Sequence, residues 1–337
     1  MIAGLKFGNP QETTMTQSLP KVRHAIAGLG RIGSLLEHDS LRQKPCTHAG
    51  AIAQNNESIL AGGCDPRPDR RTAFRKDWNC PVFTGLEEML TGLKPDILHI
   101  CVPPEKHLEV LRKAVEFGVG FIVCEKPLAD TLQNAEEILQ LEKAAKTVIL
   151  VNHERRYSDN YLEVKNKWIP AFGPILSISA RLYFGRKRSV REMLWDDGTH
   201  LIDIIQFLTG HEIILQNLTG SPDKDRTVFI ACTAGKIPVI IEAGTGRDHL
   251  VFEIGMSFES AAIRIGNGVF EVGESAASPY YEKFRSLRAV RSEEFYSTHD
   301  FSNMIRNAVH CFRTGDKSIS TAEDAFSVIR FLSNLKR

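Results

Sequence analysis

Three places in the chain set side chains fit for acid–base or anion chemistry at telling spacings. Lys126 follows the apolar run GFIVC (120–124) inside the tripeptide Glu125-Lys126-Pro127. An ammonium at the carboxyl end of a strand in an open α/β sheet stands where ligands bind. There it can hydrogen-bond an oxygen that is being oxidised and stabilise developing alkoxide charge. In DDGTHLID (196–203), Asp196, His200 and Asp203 follow one another at intervals of four and three, so on a helix they share one face. A histidine so placed is suited to accept a hydroxyl proton. Asp196 could hold a neighbouring substrate hydroxyl, and Asp203 could orient the His200 ring or cap a structural contact. The plainer alternatives are an exposed lysine paired with Glu125 and an acidic helix start that complements the dipole.

The third place is GLGRIG (28–33), a GxGxxG hexamer after one apolar run and before a helical pattern. Gly28 allows the tight turn, Gly30 the close approach of a pyrophosphate, and Gly33 the contact of helix with strand. Arg31 and Ile32 present the remaining amides to the phosphates at a helix N-terminus. The context predicts dinucleotide binding. An acidic residue for the adenosine ribose is expected about 20 residues further on. Asp65 ends SILAGGCD, but 65 − 33 places it 32 residues past Gly33. An insertion within 38–57 accounts for the excess, and Pro45 and Gly50 suit a loop there. Within it THAG (47–50) brings His48 either toward the cofactor or cleft, or onto a surface loop without chemistry. Asp65 favours NAD, since a carboxylate repels a 2′-phosphate. Arg67 and Arg71 leave NADP possible.

The elements that must position these residues follow from periodicity. Strands are expected at 22–28, 58–64, 96–102, 120–124 and 147–151, with helices at 105–117 and 131–145, the latter capped by Asp130 or Thr131. Repeated β-α-β gives a parallel, doubly wound sheet. From 173 the pattern changes to a strand (173–184), a helix near 197–209, and then closely spaced β runs with turns between, which is a mostly antiparallel sheet in an α+β domain. Two helices close the chain near 299–313 and 321–335. The expected division is a tail at 1–20, a dinucleotide-binding domain at 21–151 and a substrate-binding and oligomerisation domain at 152–337. The 337-residue length agrees with two domains. Forty-two basic against 41 acidic residues argue against a dedicated nucleic-acid or anionic-membrane binder. Seven cysteines without CxxC spacing point to free thiols in a reducing cytosol and away from a zinc site.

GLGRIG, ICVPPEKH (100–107), Glu125-Lys126-Pro127 and DDGTHLID, in that order, resemble the glucose–fructose oxidoreductase, inositol dehydrogenase and rhizopine-catabolism (Gfo/Idh/MocA) family. The resemblance runs from about residue 21 over nearly the whole chain. It implies an NAD(P)-dependent dehydrogenase or reductase acting on a secondary alcohol of a sugar, cyclitol or derivative. Lys126, His200 and Asp196 would be its catalytic residues, and Pro103, Glu125 and Lys126 would lie against the cofactor; His107, at the start of the helix after the fourth strand, sits either near the nicotinamide or in a cap or packing role. It also implies a homodimer or homotetramer through the second sheet. NHERRYSDNY (152–161) resembles the stretch that joins the two domains, with Arg156 either lining the substrate cleft or tying the domains together. Relatives place paired glycines before the aspartate, where this chain has Arg191, Glu192 and Met193. The basic loop GRKRSVRE (185–192) either recognises a substrate anion or is a solvated loop or subunit contact. Two rival readings keep the same residues: a glycosidase-like enzyme that uses NAD transiently, and a non-catalytic nucleotide-binding sensor.

Overall fold

Short strands that are apolar on both faces need cover on both sides, and the first half of the chain supplies it. The computed structural model describes residues 19–293 and 298–335, so most of the expected tail lies outside the described residues. Six strands form one parallel sheet: β1 (Val22–Ala27), β2 (Ser58–Cys64), β3 (Val82–Phe83), β4 (Ile97–Ile100), β5 (Phe121–Cys124) and β6 (Val148–Val151). Their order is β3-β2-β1-β4-β5-β6, the dinucleotide-binding arrangement, with its topological switch between β1 and β4. β4 and β5 are buried at every residue, as central parallel strands must be. The crossovers carry α1 (His48–Gln54), α2 (Pro68–Trp78), α3 (Leu86–Leu93), α4 (His107–Glu116) and α5 (Leu132–Ala145). Thr131 is the cap of α5, its side chain accepting from the Asn134 amide.

Eight strands make the second sheet: β7 (Ser177–Tyr183), β8 (Ile213–Thr219), β9 (Thr227–Ala234), β10 (Ile237–Gly244), β11 (Val251–Ser257), β12 (Ala261–Gly266), β13 (Val269–Ala277) and β14 (Arg285–Glu293). Every neighbouring pair is antiparallel except β7 with β10. Alternation along β9 and β11 turns one face inward, onto the apolar Thr199–Thr209 helix. β14 was not expected. Its sequence, RSLRAVRSE, is charged because it is an exposed edge strand.

The closing helices also reach the first sheet, although Val328, Phe331 and Leu332 stay in the core of the second. Phe301, Met304 and Ile305 of the Asp300–Thr314 helix join the core on one face of the parallel sheet. Ala322, Ala325 and Ile329 of the Ala322–Ser333 helix join the core on its other face. The last 36 described residues therefore clamp the first sheet from both sides, and the two sheets share a continuous interior through Trp195, which packs against both.

The insertion has an unexpected place. The chain after GLGRIG makes one turn and a short 3-10 segment (Leu35–His38), loops out, and returns as α1. The His48 amide then donates to the Ile32 carbonyl (3.1 Å) and the Ala49 amide to that of Gly33 (3.0 Å). These bonds continue the helix begun by the glycine loop, as if the looped-out residues were absent. Gly50, expected in a loop, lies inside α1, and residues 48–54 are helix rather than loop. Thr47 caps it by accepting from the Gly50 amide.

Candidate functional site

The glycine loop forms at the switch point because nothing larger fits. Gly28 has φ +96°, and a Cβ there would stand 2.6 Å from the Cys101 carbonyl group of β4. A Cβ on Gly33 would stand 2.2 Å from the Gly28 carbonyl oxygen. A Cβ on Gly30 would meet only the guanidinium of Arg70, at 3.3 Å, so this position faces an open groove crossed by one mobile side chain. The groove has a volume of about 350 Å³, and Gly28, Asp65, Arg67, Arg70, Pro103 and Lys106 are among its lining residues. Its tight turn, polar floor and apolar walls fit the adenosine half of a dinucleotide. Arg31 is exposed beside it, whereas Ile32 packs inward against the sheet.

Asp65 sits at the end of β2 as expected, but its carboxylate is buried and turned onto the loop. It accepts from the Leu29 amide (3.0 Å), the Arg67 amide (2.9 Å) and Arg70 Nη1 (3.2 Å). Of the two arginines that left NADP open, Arg67 is exposed and pairs with Asp69, while Arg71 Nη1 donates to the Asp65 and Pro66 carbonyls. Arg70 was missed. Its signal was the first turn of α2, which brings residue 70 back over Asp65.

Lys126 stands beyond β5, on the lip facing the second domain, and the Lys126–Pro127 peptide bond is cis. Its Nζ donates to the Asp196 main-chain carbonyl (2.9 Å) and lies 3.6 Å from Asp196 Oδ1. Arg188, from the basic loop, donates to Asp196 Oδ2 (2.8 Å) and also pairs with Asp197. His200 lies within electrostatic reach of Lys126, and its Nδ1 is buried with no hydrogen-bond partner among the described residues. Burial, with the charges of Lys126 and Arg155 adding to it, holds the His200 imidazole well below its ordinary pKa. The ring is neutral at pH 7 and presents an uncommitted nitrogen. The structure brings Lys126, Asp196 and His200 together.

Asp203 does not join them. Residues Leu194–Gly198 form a π-helical turn, and His200 and Asp203 follow it in the regular helix. Asp203 is buried, gripped by Arg156 through Nε (2.9 and 3.0 Å) and Nη2 (2.7 Å). His153 Nδ1 lies 3.1 Å from the same carboxylate, off the line of a hydrogen bond. Arg156 Nη1 meanwhile donates to the Ile319 carbonyl (2.9 Å) and pairs with Asp324 (3.0 Å). This corrects the expectation of Arg156 as a substrate ligand: every guanidinium nitrogen is engaged in tying the domain joint to two helices.

Two expected cofactor residues are likewise turned inward. His107 is fully buried, with Nε2 2.9 Å from the Val102 carbonyl and Nδ1 3.2 Å from that of Leu128. Burial lowers its pKa, so the neutral ring donates to one of these at a time and links β4's end to the segment after Pro127. Glu125 is buried as well. Its Oε1 accepts from His48 Nε2 and Asn152 Nδ2, both at 2.7 Å, and its Oε2 lies 3.3 Å from the Lys126 amide. Neither side chain is presented to a ligand.

The comparisons agree with this architecture. Residues 22–153 match an oxidoreductase family described as having an NAD-binding Rossmann fold. Over 212 residues the chain is 24% identical to the D-glucoside 3-dehydrogenase of Escherichia coli, covering 59% of this chain and 56% of that protein. Over 196 residues it is 27% identical to the inositol 2-dehydrogenase of Salmonella typhimurium, covering 57% and 55%. The chain thus aligns with little more than half the length of these relatives. A dehydrogenase from Chromobacterium violaceum has the same fold, with a TM-score of 0.77 and 16% identity over 94% of this chain and 95% of that one. No helix among the described residues is long and apolar enough to cross a membrane.

Proposed function

We propose that the chain is a Gfo/Idh/MocA oxidoreductase and that it moves a hydride between a nicotinamide cofactor and a secondary alcohol or carbonyl of a sugar, cyclitol or sugar derivative. The observation that carries this reading is the contact of Lys126 with Asp196 at the carboxyl edge of the sheet that bears the glycine loop, with neutral His200 within electrostatic reach of Lys126. NAD, or NADP, supplies the hydride acceptor or donor when bound. Gly30 leaves room for its pyrophosphate, Gly28 and Gly33 let the loop close against the sheet, and Asp65 and Arg70 frame the ribose end of the groove. In the oxidative direction the Lys126 ammonium hydrogen-bonds the substrate oxygen and stabilises its growing negative charge. Neutral His200 takes the hydroxyl proton as the C–H bond breaks, and Asp196 holds an adjacent hydroxyl. In reduction the same proton returns from His200.

The test is absorbance at 340 nm with NAD or NADP and a panel of sugars, cyclitols, sugar acids and their phosphates. Reduction with one compound is the expected result. Tight binding of NAD with no redox turnover of any panel member would overturn the reading in favour of transient NAD use or a sensor. The outer face of the second sheet leaves Ile214, Phe229 and Ile240 about half exposed on neighbouring strands, a surface suited to association of copies. Light scattering should give a dimer or tetramer. The seven unpaired cysteines fit a reducing compartment.

A further inference from the structure

Behind Lys126 the parallel sheet hides a line of four titratable side chains that the reaction above does not use. His24 of β1 and His99 of β4 stand on adjacent strands, His48 opens α1 over them, and all three are fully buried. His24 Nδ1 lies 2.9 Å from His99 Nε2, His99 Nδ1 lies 2.8 Å from His48 Nδ1, and His48 Nε2 lies 2.7 Å from Glu125 Oε1. At the far end His24 Nε2 is buried with no partner among the described residues.

We propose that this line is a hydrogen-bond chain of one polarity, running from His24 to Glu125, in which His48 is a positioning residue. It holds the Glu125 carboxylate against the main chain of Lys126 and so sets the lysine in the site. The catalytic consequence rests on the hydride-transfer reading; the chain itself does not.

Proton counting selects the polarity. With Glu125 ionised and three protons on the rings, each contact has one donor and one acceptor. His24 Nδ1–H donates to His99 Nε2, His99 Nδ1–H to His48 Nδ1, and His48 Nε2–H to Glu125. The chain then ends on a bare lone pair at His24 Nε2. A fourth proton can sit on Glu125 or make any one of the three rings an imidazolium, with the contacts between it and His24 reversed. Every one of these arrangements leaves an N–H at His24 Nε2, buried with no acceptor among the described residues, and an orphaned buried donor is the rarer defect. The surroundings keep His24 and His99 neutral. Burial lowers His24 to about 3, and it holds His99 well below the imidazole range. The titratable groups that act on these two rings are His48 and each other, with no carboxylate among them. Around Glu125 stand Lys126, His107, Cys101 and Cys124. Burial alone would raise this carboxyl, but the His48 and Asn152 hydrogen bonds and the Lys126 charge bring it below its usual range. Phe301 closes the chain from the side, its ring edge-on to His48.

The test begins with the unmodified full chain carrying 15N-histidine. Long-range proton–nitrogen spectra at pH 7 should show His48 protonated on Nε2, His99 and His24 on Nδ1, and none of the three charged. A reversed tautomer or an imidazolium among them overturns the chain. Positioning is read separately, from amide exchange at Lys126 and from kinetics. His48→Ala should speed exchange of the Lys126 amide about tenfold against second-sheet amides as internal controls. It should lower kcat about tenfold with KM for the substrate little changed. His48→Gln, which keeps a side-chain N–H, should restore most of both. If His48→Ala does not fold, His99→Phe removes the donor behind His48 while keeping a flat ring, and should show the same amide effect. An unchanged Lys126 amide, or equal losses in Ala and Gln, overturns the positioning role. A protein that oxidises no substrate but shows the expected tautomers and amide effect sinks the hydride-transfer reading alone.

Discussion

Two ionic clusters border the segment from Leu194 to Thr209, built from the same residue types for different ends. At its entrance Asp196 is 62% exposed, with Lys126 and Arg188 on its oxygens. One turn past His200, Asp203 is 1% exposed and fully engaged by Arg156. Exposed pairs contribute about 0–1 kcal/mol, since water competes for both charges. Removing one partner of a buried pair leaves the other charge stranded, at about 3–5 kcal/mol. The first cluster can therefore exchange its partners for substrate hydroxyls, and the second cannot. In this helix the carboxylate proposed to meet substrate is the one held loosely.

The largest effect should come from breaking the tight cluster. Asp203→Ala strands the Arg156 guanidinium and should lower unfolding stability by about 3–5 kcal/mol, measured by urea titration. The pH sign follows from the Asp203 pKa. Burial pushes it up, but Arg156 overcomes this and draws it down to about 2. The stability it contributes is present above the unfolded carboxyl value of about 3.9 and is lost as pH falls through about 2. The variant should therefore lose its deficit relative to the native chain across that window. A deficit that persists below pH 2 would contradict the ionic reading. Next in size is Lys126→Ala. It should leave the urea midpoint nearly unchanged and lower kcat/KM by about 10²–10³. A stability loss as large as that of Asp203→Ala would erase the distinction between the clusters.

The same contrast explains what could be read in advance. The parallel sheet was legible because its strands are short apolar runs and its glycine loop has one workable geometry. Lys126 was legible because strand ends in open sheets are where ligands bind. The spacing of Asp196, His200 and Asp203 read correctly as helix, but it could not show that Arg156 takes up the Asp203 carboxylate, and LWDDG carries no mark of the π-turn. Arg156 and Glu125 are polar letters in a motif, and no spacing tells whether a charge faces a cleft or a buried partner 47 or 77 residues away in sequence. His48 was noticed, but its partners His24 and His99 sit inside apolar strands, where a histidine passes as core.

Asp65 is an intermediate case, buried like Asp203 but bordering the groove like Asp196. Asp65→Ser removes the acceptor of two amides and of Arg70, and frees Arg70 to meet a 2′-phosphate. NAD should bind about tenfold more weakly and NADP relatively better, by calorimetric titration of both. Unchanged preference would place the ribose away from β2.

The smallest effect belongs to Arg188, and it sharpens the comparison most. Its guanidinium lies on Asp196 and Asp197 and over the Phe184 ring, 4.9 Å from the centroid, so it covers the acceptor that a substrate hydroxyl would need. Arg188→Ala should shift stability by less than about 0.5 kcal/mol, as for other surface changes. The kinetic direction separates the two roles left open for the basic loop. If Arg188 merely shields Asp196, KM for neutral polyols falls severalfold in the variant. If it binds a substrate anion, KM rises for sugar acids or phosphates and stays level for neutral polyols. A loss of 2 kcal/mol or more in stability would show that Asp196 is tightly held after all, and the loosely held carboxylate would no longer mark the reactive end of the helix.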